Sequence, residues 1–275
     1  MPYDPGQTSH ASEAPRALRA ALADYSGEWE RWDFDLDGPL LDTKVLRVLD
    51  GGDLPTDPTK PDENRALIRA AAKQCLDARA VPFLLGGDDS VPIPFFDAYE
   101  TYGPITIVQI DAHIDWRDEL NGLRHTYTST MRRASEMPWV ERIVQVGMRG
   151  IGGARREDVE DARSWGAHIV PAGQVQERGI MSALDHVPEG SRCIVTLDCD
   201  GLDPTVVPAV IAPQPGGLSY EDVIRLLKGL SARARIVGFD LVELVPELDV
   251  RGLGVLTAAR IVCNALGCMT RLRTS

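Results

Sequence analysis

The chain has 275 residues, with 41 acidic against 29 basic side chains and a formal net charge of −12, which argues against a nucleic-acid partner because phosphates call for a basic face. Hydrophobic residues make up 44%, enough for a real core, and no apolar run approaches the roughly 18 residues of a membrane span. The opening Met1-Pro2-Tyr3-Asp4-Pro5 has neither the basic nor the apolar region of a secretory signal, so a cytoplasmic protein without a membrane partner is expected.

Taken in chain order, a β-branched run at Val45–Leu49 predicts the first strand and Gly51–Pro61 a surface loop. Helix-like spacing follows over Glu63–Arg79, then a strand at Val81–Leu85, a helix over Asp89–Thr101 and a strand at Ile105–Ile110. Ser129–Met137 reads as helix, Arg142–Met148 as strand, Arg156–Gly166 as helix, His168–Pro171 as strand and Gln174–Leu184 as helix. Arg192–Leu197 is the next strand, Pro204–Gly217 a second long loop, Tyr220–Leu230 a helix and Ile236–Leu241 the last strand. Strands apolar on both faces that alternate with helices imply an α/β fold, a mostly parallel sheet covered on each side. With no break in composition, a single domain over residues 1–275 is expected. Cys75, Cys193, Cys199, Cys263 and Cys268 form no C-x-x-C pair and are expected to be buried reduced thiols.

Acidic residues stand where predicted strands end: Gly86-Gly87-Asp88-Asp89-Ser90, Asp111-Ala112-His113-Ile114-Asp115, Asp198-Cys199-Asp200, and Glu243. In a parallel sheet these ends share one edge, the edge at which open α/β folds bind ligands. Residues two apart in extended chain point the same way, so Asp111, His113 and Asp115 present three groups together and Asp198 with Asp200 two more, while Cys199 points away. So many carboxylates in one crevice raise one another's pKa unless divalent cations neutralise them. Oxygen donors with one imidazole suit Mn²⁺ or a similar ion, and the number of donors exceeds what one ion needs. Taken alone, Gly86-Gly87-Asp88 is a turn or a helix cap; three acid clusters at three strand ends are harder to read that way.

These segments resemble the signatures of the ureohydrolase family, arginases and agmatinases, which read G-G-D-H-S, D-A-H-x-D and S-x-D-x-D-x-x-D-P in this order. Further likeness lies in Tyr3-Asp4-Pro5-Gly6, Val48-Leu49-Asp50, Gly147-Met148-Arg149-Gly150 and Pro215-Gly216-Gly217-Leu218. The resemblance implies a three-layer α/β/α sandwich and two divalent ions, Mn²⁺ first and Ni²⁺ second, held by Asp111, His113, Asp115, Asp198 and Asp200. Position 89 would be the sixth ligand, and here the chain departs from the pattern, with Asp89 in place of histidine. A carboxylate adds charge and lowers the Lewis acidity of that metal. The resemblance also implies hydrolysis of a small cationic guanidino compound to urea and an amine. Asp115 would orient the attacking water, His125 would line the pocket and shuttle protons, and Glu243 would pair with the guanidinium. Read by themselves, His125 is a solvated loop histidine and Glu243 a surface acid.

The loop Trp116–Arg124 is where relatives contact the far end of the substrate. Arg117 or Arg124 there would meet a carboxylate and favour a guanidino acid over agmatine, unless it pairs with Asp118 or Glu119 at the surface. Pro208-Ala209-Val210-Ile211-Ala212-Pro213 lacks the hydroxyls usual in the family, so a longer or less polar substrate than arginine is expected. The family also carries an apolar strand before the segment matched by residues 2–6, implying an upstream start or a missing inner strand. Relatives assemble as trimers or hexamers, and a homo-oligomer is expected. Two rival readings are a non-catalytic metal-binding member and a deacetylase-like amide hydrolase with a single metal.

Overall fold

The computed structural model describes residues 9–25, 28–151 and 153–271; the segment matched at residues 2–6 lies outside them. Two short strands, β1 (Trp32–Asp33) and β2 (Gly38–Pro39), pair antiparallel near the start. The remaining six form one sheet: β3 (Phe83–Leu85), β4 (Ile105–Ile110), β5 (Val140–Val146), β6 (His168–Val170), β7 (Arg192–Asp198) and β8 (Arg235–Val242). Their order is β3-β8-β7-β4-β5-β6 and every pairing is parallel.

Such a sheet has no solvent face, and β4 shows why the sequence accepts this: all six of its residues are buried. Successive side chains go to opposite faces. Val108 and Ile110 join a core cluster formed with α1 (Ala14–Ala23), α6 (Ala172–Arg178), α7 (Tyr220–Arg233) and α8 (Leu253–Arg271). Ile105 and Ile107 join the other cluster, against α2 (Pro61–Asp77), α3 (Pro92–Asp97), α4 (Thr130–Ser135) and α5 (Arg156–Trp165). The three layers expected from the alternation are therefore present.

Four expectations are corrected. Val45–Leu49 is not a strand, and Leu49 is 78% exposed; a β-branched run becomes a strand only beside a free edge, and this one pairs with neither β3 nor β6. The helix expected from Asp89 begins instead at Pro92, which supplies the fixed φ of a first helical turn and leaves Asp89 in the preceding turn. Gln174–Leu184 divides into α6 and a 3₁₀ segment, Ile180–His186. Two helices, α1 and α8, were not legible. The 19 residues of α8 are long and apolar enough to cross a membrane, against the expectation that no segment is, but two-thirds of the helix is buried inside the protein. Its alanines, glycines and cysteines mask the apolar run and allow close packing on α1 and α7. None of the five cysteines is disulfide-bonded; four are buried and Cys75 is half-buried.

Candidate metal centre

From β4 the chain moves outward through β5 and β6, whereas β7 and β8 lie on the other side of β4. The crevice beyond the carboxyl ends of β4 and β7 is thus the topological switch point of the sheet. Asp111 follows β4, Asp198 ends β7, and both are almost fully buried. Glycine is required beside them: a Cβ on Gly201 would lie 2.7 Å from the backbone nitrogen of Asp111.

The acids fall into two groups that share Asp111. In each, the potential ligand atoms lie within 4.8 Å of one another: Asp111, His113 and Asp200 form one, and Asp89, Asp111 and Asp115 the other. Asp198 belongs to neither close group; it lines the same cavity, and its Oδ1 accepts the Asp200 N–H at 2.7 Å.

In the first group His113 Nδ1 stands 3.1 Å from Asp200 Oδ2 and 3.5 Å from Asp111 Oδ1. Burial pulls this imidazole down, but the hydrogen bonds and charges of Asp111 and Asp200 outweigh it and hold the pKa at about 11. The second group has no such cation. Burial pushes Asp89 well above the usual carboxylate range, followed by the charges of Asp111 and Glu243, and Asp115 is raised likewise by burial and by Asp111 and Asp89. Asp198 and Asp200 are raised first by burial as well. Asp89 Oδ2 is buried and has no hydrogen-bond partner among the described residues. An orphaned carboxylate oxygen facing two further carboxylates fits a divalent cation, and the oxygen-rich donor set suits a hard one.

A polar row supports this edge from below. Gln145, Gln109, Thr196 and Asp240 are register neighbours across β5, β4, β7 and β8. The Gln109 amide donates to Asp111 Oδ2 and to Asp115 Oδ2, both at 2.7 Å, and accepts from Gln145 at 2.6 Å. Thr196 Oγ1 donates to Asp240 Oδ1 at 2.7 Å. These residues were not singled out from the sequence, although a lone amide inside Ile105–Ile110, two residues before Asp111, was the available signal.

Glu243 lies in the same cavity, follows β8 and is buried. Its Oε1 accepts the Asp89 N–H at 2.9 Å, and its Oε2 lies 2.5 Å from His10 Nε2, a partner with no local sequence signal. Asp115 and Glu243 have φ of 44° and 61°, left-handed values that non-glycine residues seldom adopt and that collect at functional sites. Arg117 lines the cavity; it donates to the Gly153 carbonyl and its Nε lies 3.7 Å from Asp158. Arg124 is exposed and pairs with Asp118 and Glu136.

His125 does not line the cavity; Tyr127 and Thr128 do. The neighbouring Thr126 turns inward to bond Thr128 and Ser129, which leaves His125 on the exposed side of the loop. There burial and then Arg65, Arg133 and Arg124 lower its pKa.

Buried carboxylates paired around a shared aspartate, at the switch point of a parallel α/β/α sandwich, make the chemistry of a metal-dependent hydrolase. The chain belongs to the arginase family, whose profile matches residues 1–268. It is 35% identical to the N(1)-aminopropylagmatine ureohydrolase of Thermus thermophilus over 209 residues, 75% of this chain and 68% of that protein. It is 29% identical to a guanidinobutyrase of Pseudomonas aeruginosa over 227 residues, 80% of this chain and 70% of that one. In fold it matches the proclavaminate amidinohydrolase of Streptomyces clavuligerus with a TM-score of 0.85 at 24% identity, covering 98% of this chain and 90% of the other.

Proposed function

We propose that the protein is a binuclear metal-dependent amidinohydrolase that releases urea and a primary amine from a guanidino compound. The observation that carries this reading is a buried carboxylate, Glu243, in one cavity with two ligand groups that share Asp111. One ion would be held by Asp111, His113, Asp198 and Asp200 and the other by Asp89, Asp111 and Asp115. Such ions supply an ionisable water near neutral pH and polarise the carbon under attack. Mn²⁺ is the ion we assign first, with Ni²⁺ the alternative.

The chain's own side chains orient the substrate. Glu243 accepts two N–H bonds from the planar guanidinium and fixes its plane. Asp115, aimed by Gln109, accepts the proton of the attacking water and returns it to the departing nitrogen as the carbon–nitrogen bond to the amine breaks. His125 has no part in this reading because it stands outside the cavity.

The substrate tail lies among Trp116, Arg117, Val210, Ile211 and Ala212, in a cavity of about 470 Å³ with a largely apolar wall. That volume supports a tail longer or bulkier than arginine's. Arg117 is already engaged with Gly153 and Asp158, whereas Arg163 lines the same cavity with no ion pair among the described residues. An arginine of this kind supports a guanidino acid. The test is a urea-release screen over agmatine, arginine, guanidine and guanidino acids of several lengths with the metal varied. No urea from any of them rejects the hydrolysis, and one metal per chain favours the single-metal amide hydrolase instead.

The same reading takes residues 1–275 as one domain, cytoplasmic, without nucleic-acid or membrane partners, and assembled as a homo-oligomer, a trimer or hexamer. Exposed Phe34 at 89% and Ile151 at 98% support assembly, since large apolar side chains at the surface favour burial against another chain. Light scattering on the eluted protein tests it.

A further inference from the structure

We propose that His10 is a positioning residue for Glu243, fixing the plane of the carboxylate that receives the guanidinium. The inference rests on the hydrolase reading above and adds to it a residue outside the three acid-bearing segments.

The contact spans 233 residues: His10 Nε2 lies 2.5 Å from Glu243 Oε2, and the imidazole and carboxylate side chains are 23% and 7% exposed. The other oxygen, Oε1, is occupied by the Asp89 N–H at 2.9 Å. A carboxylate with one donor on each oxygen has its plane set, and each oxygen keeps a further lone pair for an incoming N–H. Bidentate binding of a planar guanidinium depends on that plane, so a carboxylate held in advance avoids the ordering cost of binding. The hold is needed because Glu243 sits at a left-handed φ of 61°, directly after the strand that would otherwise aim it.

His10 is itself fixed on two sides. Its ring meets Tyr127 edge to face at 6.0 Å and 88°, and Tyr127 lines the cavity. The turn that carries it is closed by the Ser12 N–H on the Ser9 carbonyl and leads into α1, where Pro15 packs so close to Gly86 that a Cβ there would lie 2.6 Å away. The first glycine of Gly86-Gly87-Asp88-Asp89 thereby seats the helix that delivers His10. Of the remaining histidines, His113 is bound to Asp111 and Asp200, His125 stands outside the cavity, and His168 stacks on His186. His10 is the imidazole available to Glu243.

The test compares the metal-loaded full chain with His10→Ala and His10→Gln. The steady-state constants for the best guanidino substrate are measured, together with calorimetric binding of guanidine hydrochloride and bound metal. His10→Ala is expected to raise KM and the Kd for guanidinium by about 10- to 100-fold, the range of a lost charge-assisted hydrogen bond, with a smaller change in kcat and both metals retained. His10→Gln, which keeps an N–H donor, is expected to recover most of the loss. If His10→Ala melts far below the parent, His10→Met fills the space without a donor and carries the same comparison. An active parent whose KM and Kd do not move in the donor-free variant, or a glutamine variant no better than alanine, overturns the assignment. A parent that releases no urea from any guanidino compound overturns the hydrolase reading and this assignment together.

Discussion

The two ligand groups share Asp111, and only one of them contains an imidazole, which changes what each can do without metal. Asp111, His113 and Asp200 contain their own cation: the imidazole, held at about 11, balances one negative charge, so the group is assembled before any ion arrives. Asp89, Asp111 and Asp115 are carboxylates alone; burial and neighbouring charge push Asp89 and Asp115 well above the usual carboxylate range, and Asp89 Oδ2 has no hydrogen-bond partner among the described residues. One group balances a negative charge internally; the other relieves its repulsion by raised carboxyl pKa values and the Gln109 amide, a task a bound cation would take over. The difference lies in what each group adds to Asp111: an imidazole, His113, in the first, and only carboxylates, Asp89 and Asp115, in the second.

The largest effect is expected where the groups meet. Asp111→Asn weakens both sites at once and should abolish binding of both ions and lower urea release by at least ~10³-fold, since the ions supply several kcal/mol of the barrier reduction. Metal analysis and a urea assay check it, and a variant that keeps one full equivalent would show the groups to be independent. Next, Asp89→Ala should lose one equivalent of metal while Asp88→Ala keeps both. Asp88 Oδ1 is occupied by the Ser90 N–H and hydroxyl at 3.1 and 2.5 Å, the bonds of a turn former. The reverse result would move the ligand one residue back and dissolve the contrast between the groups.

Gln109 offers a finer cut. Its amide holds one oxygen each of Asp111 and Asp115 and touches neither His113 nor Asp89 by hydrogen bond among the described residues. Gln109→Leu should therefore weaken metal binding by about 10- to 100-fold, the usual size for a residue that orients ligands, with the second group losing more than the first. Titration with Mn²⁺ followed by calorimetry separates the two steps; equal losses in both would mean that Gln109 acts through Asp111 alone.

How much of this was legible follows from how local each feature is. Strand alternation located β4, β6 and β7 to within a residue, because apolar runs with no polar face leave few options, and the candidate site was read from the acids at the ends of β4 and β7. His113 and Asp115 were readable because spacing in extended chain is a local property. The placement of His125 outside the cavity was not legible because it turns on how a loop folds, which Thr126 decides through bonds to Thr128 and Ser129. His10 was invisible, since nothing in Ser9-His10-Ala11 announces a partner 233 residues away. The helix α8 was missed because its small residues hide a buried helix behind ordinary composition.

The smallest predicted effect separates the groups through pH in the metal-free protein. A group whose folded pKa is raised binds more protons folded than unfolded, so its stabilisation is full below the unfolded value and declines as pH rises through the folded one. For His113 that window runs from 6.5 to about 11. For Asp89 and Asp115 it opens at 3.8 and continues upward. His125 and His168, whose pKa values are lowered, oppose the decline only below about 6.5, and exposed acids such as Asp203, at about 2, add no slope above pH 5. Between pH 7 and 9 the metal-free protein should therefore lose a few degrees of Tm, at roughly 2–4 °C for each kcal/mol, and Mn²⁺ should restore more at pH 9 than at pH 7. His113→Asn should flatten the fall over that interval, while Asp89→Ala leaves the imidazole's share in place. If instead the histidine variant keeps the whole slope, the charge balance assigned to the first group is wrong and the two groups respond to pH as one.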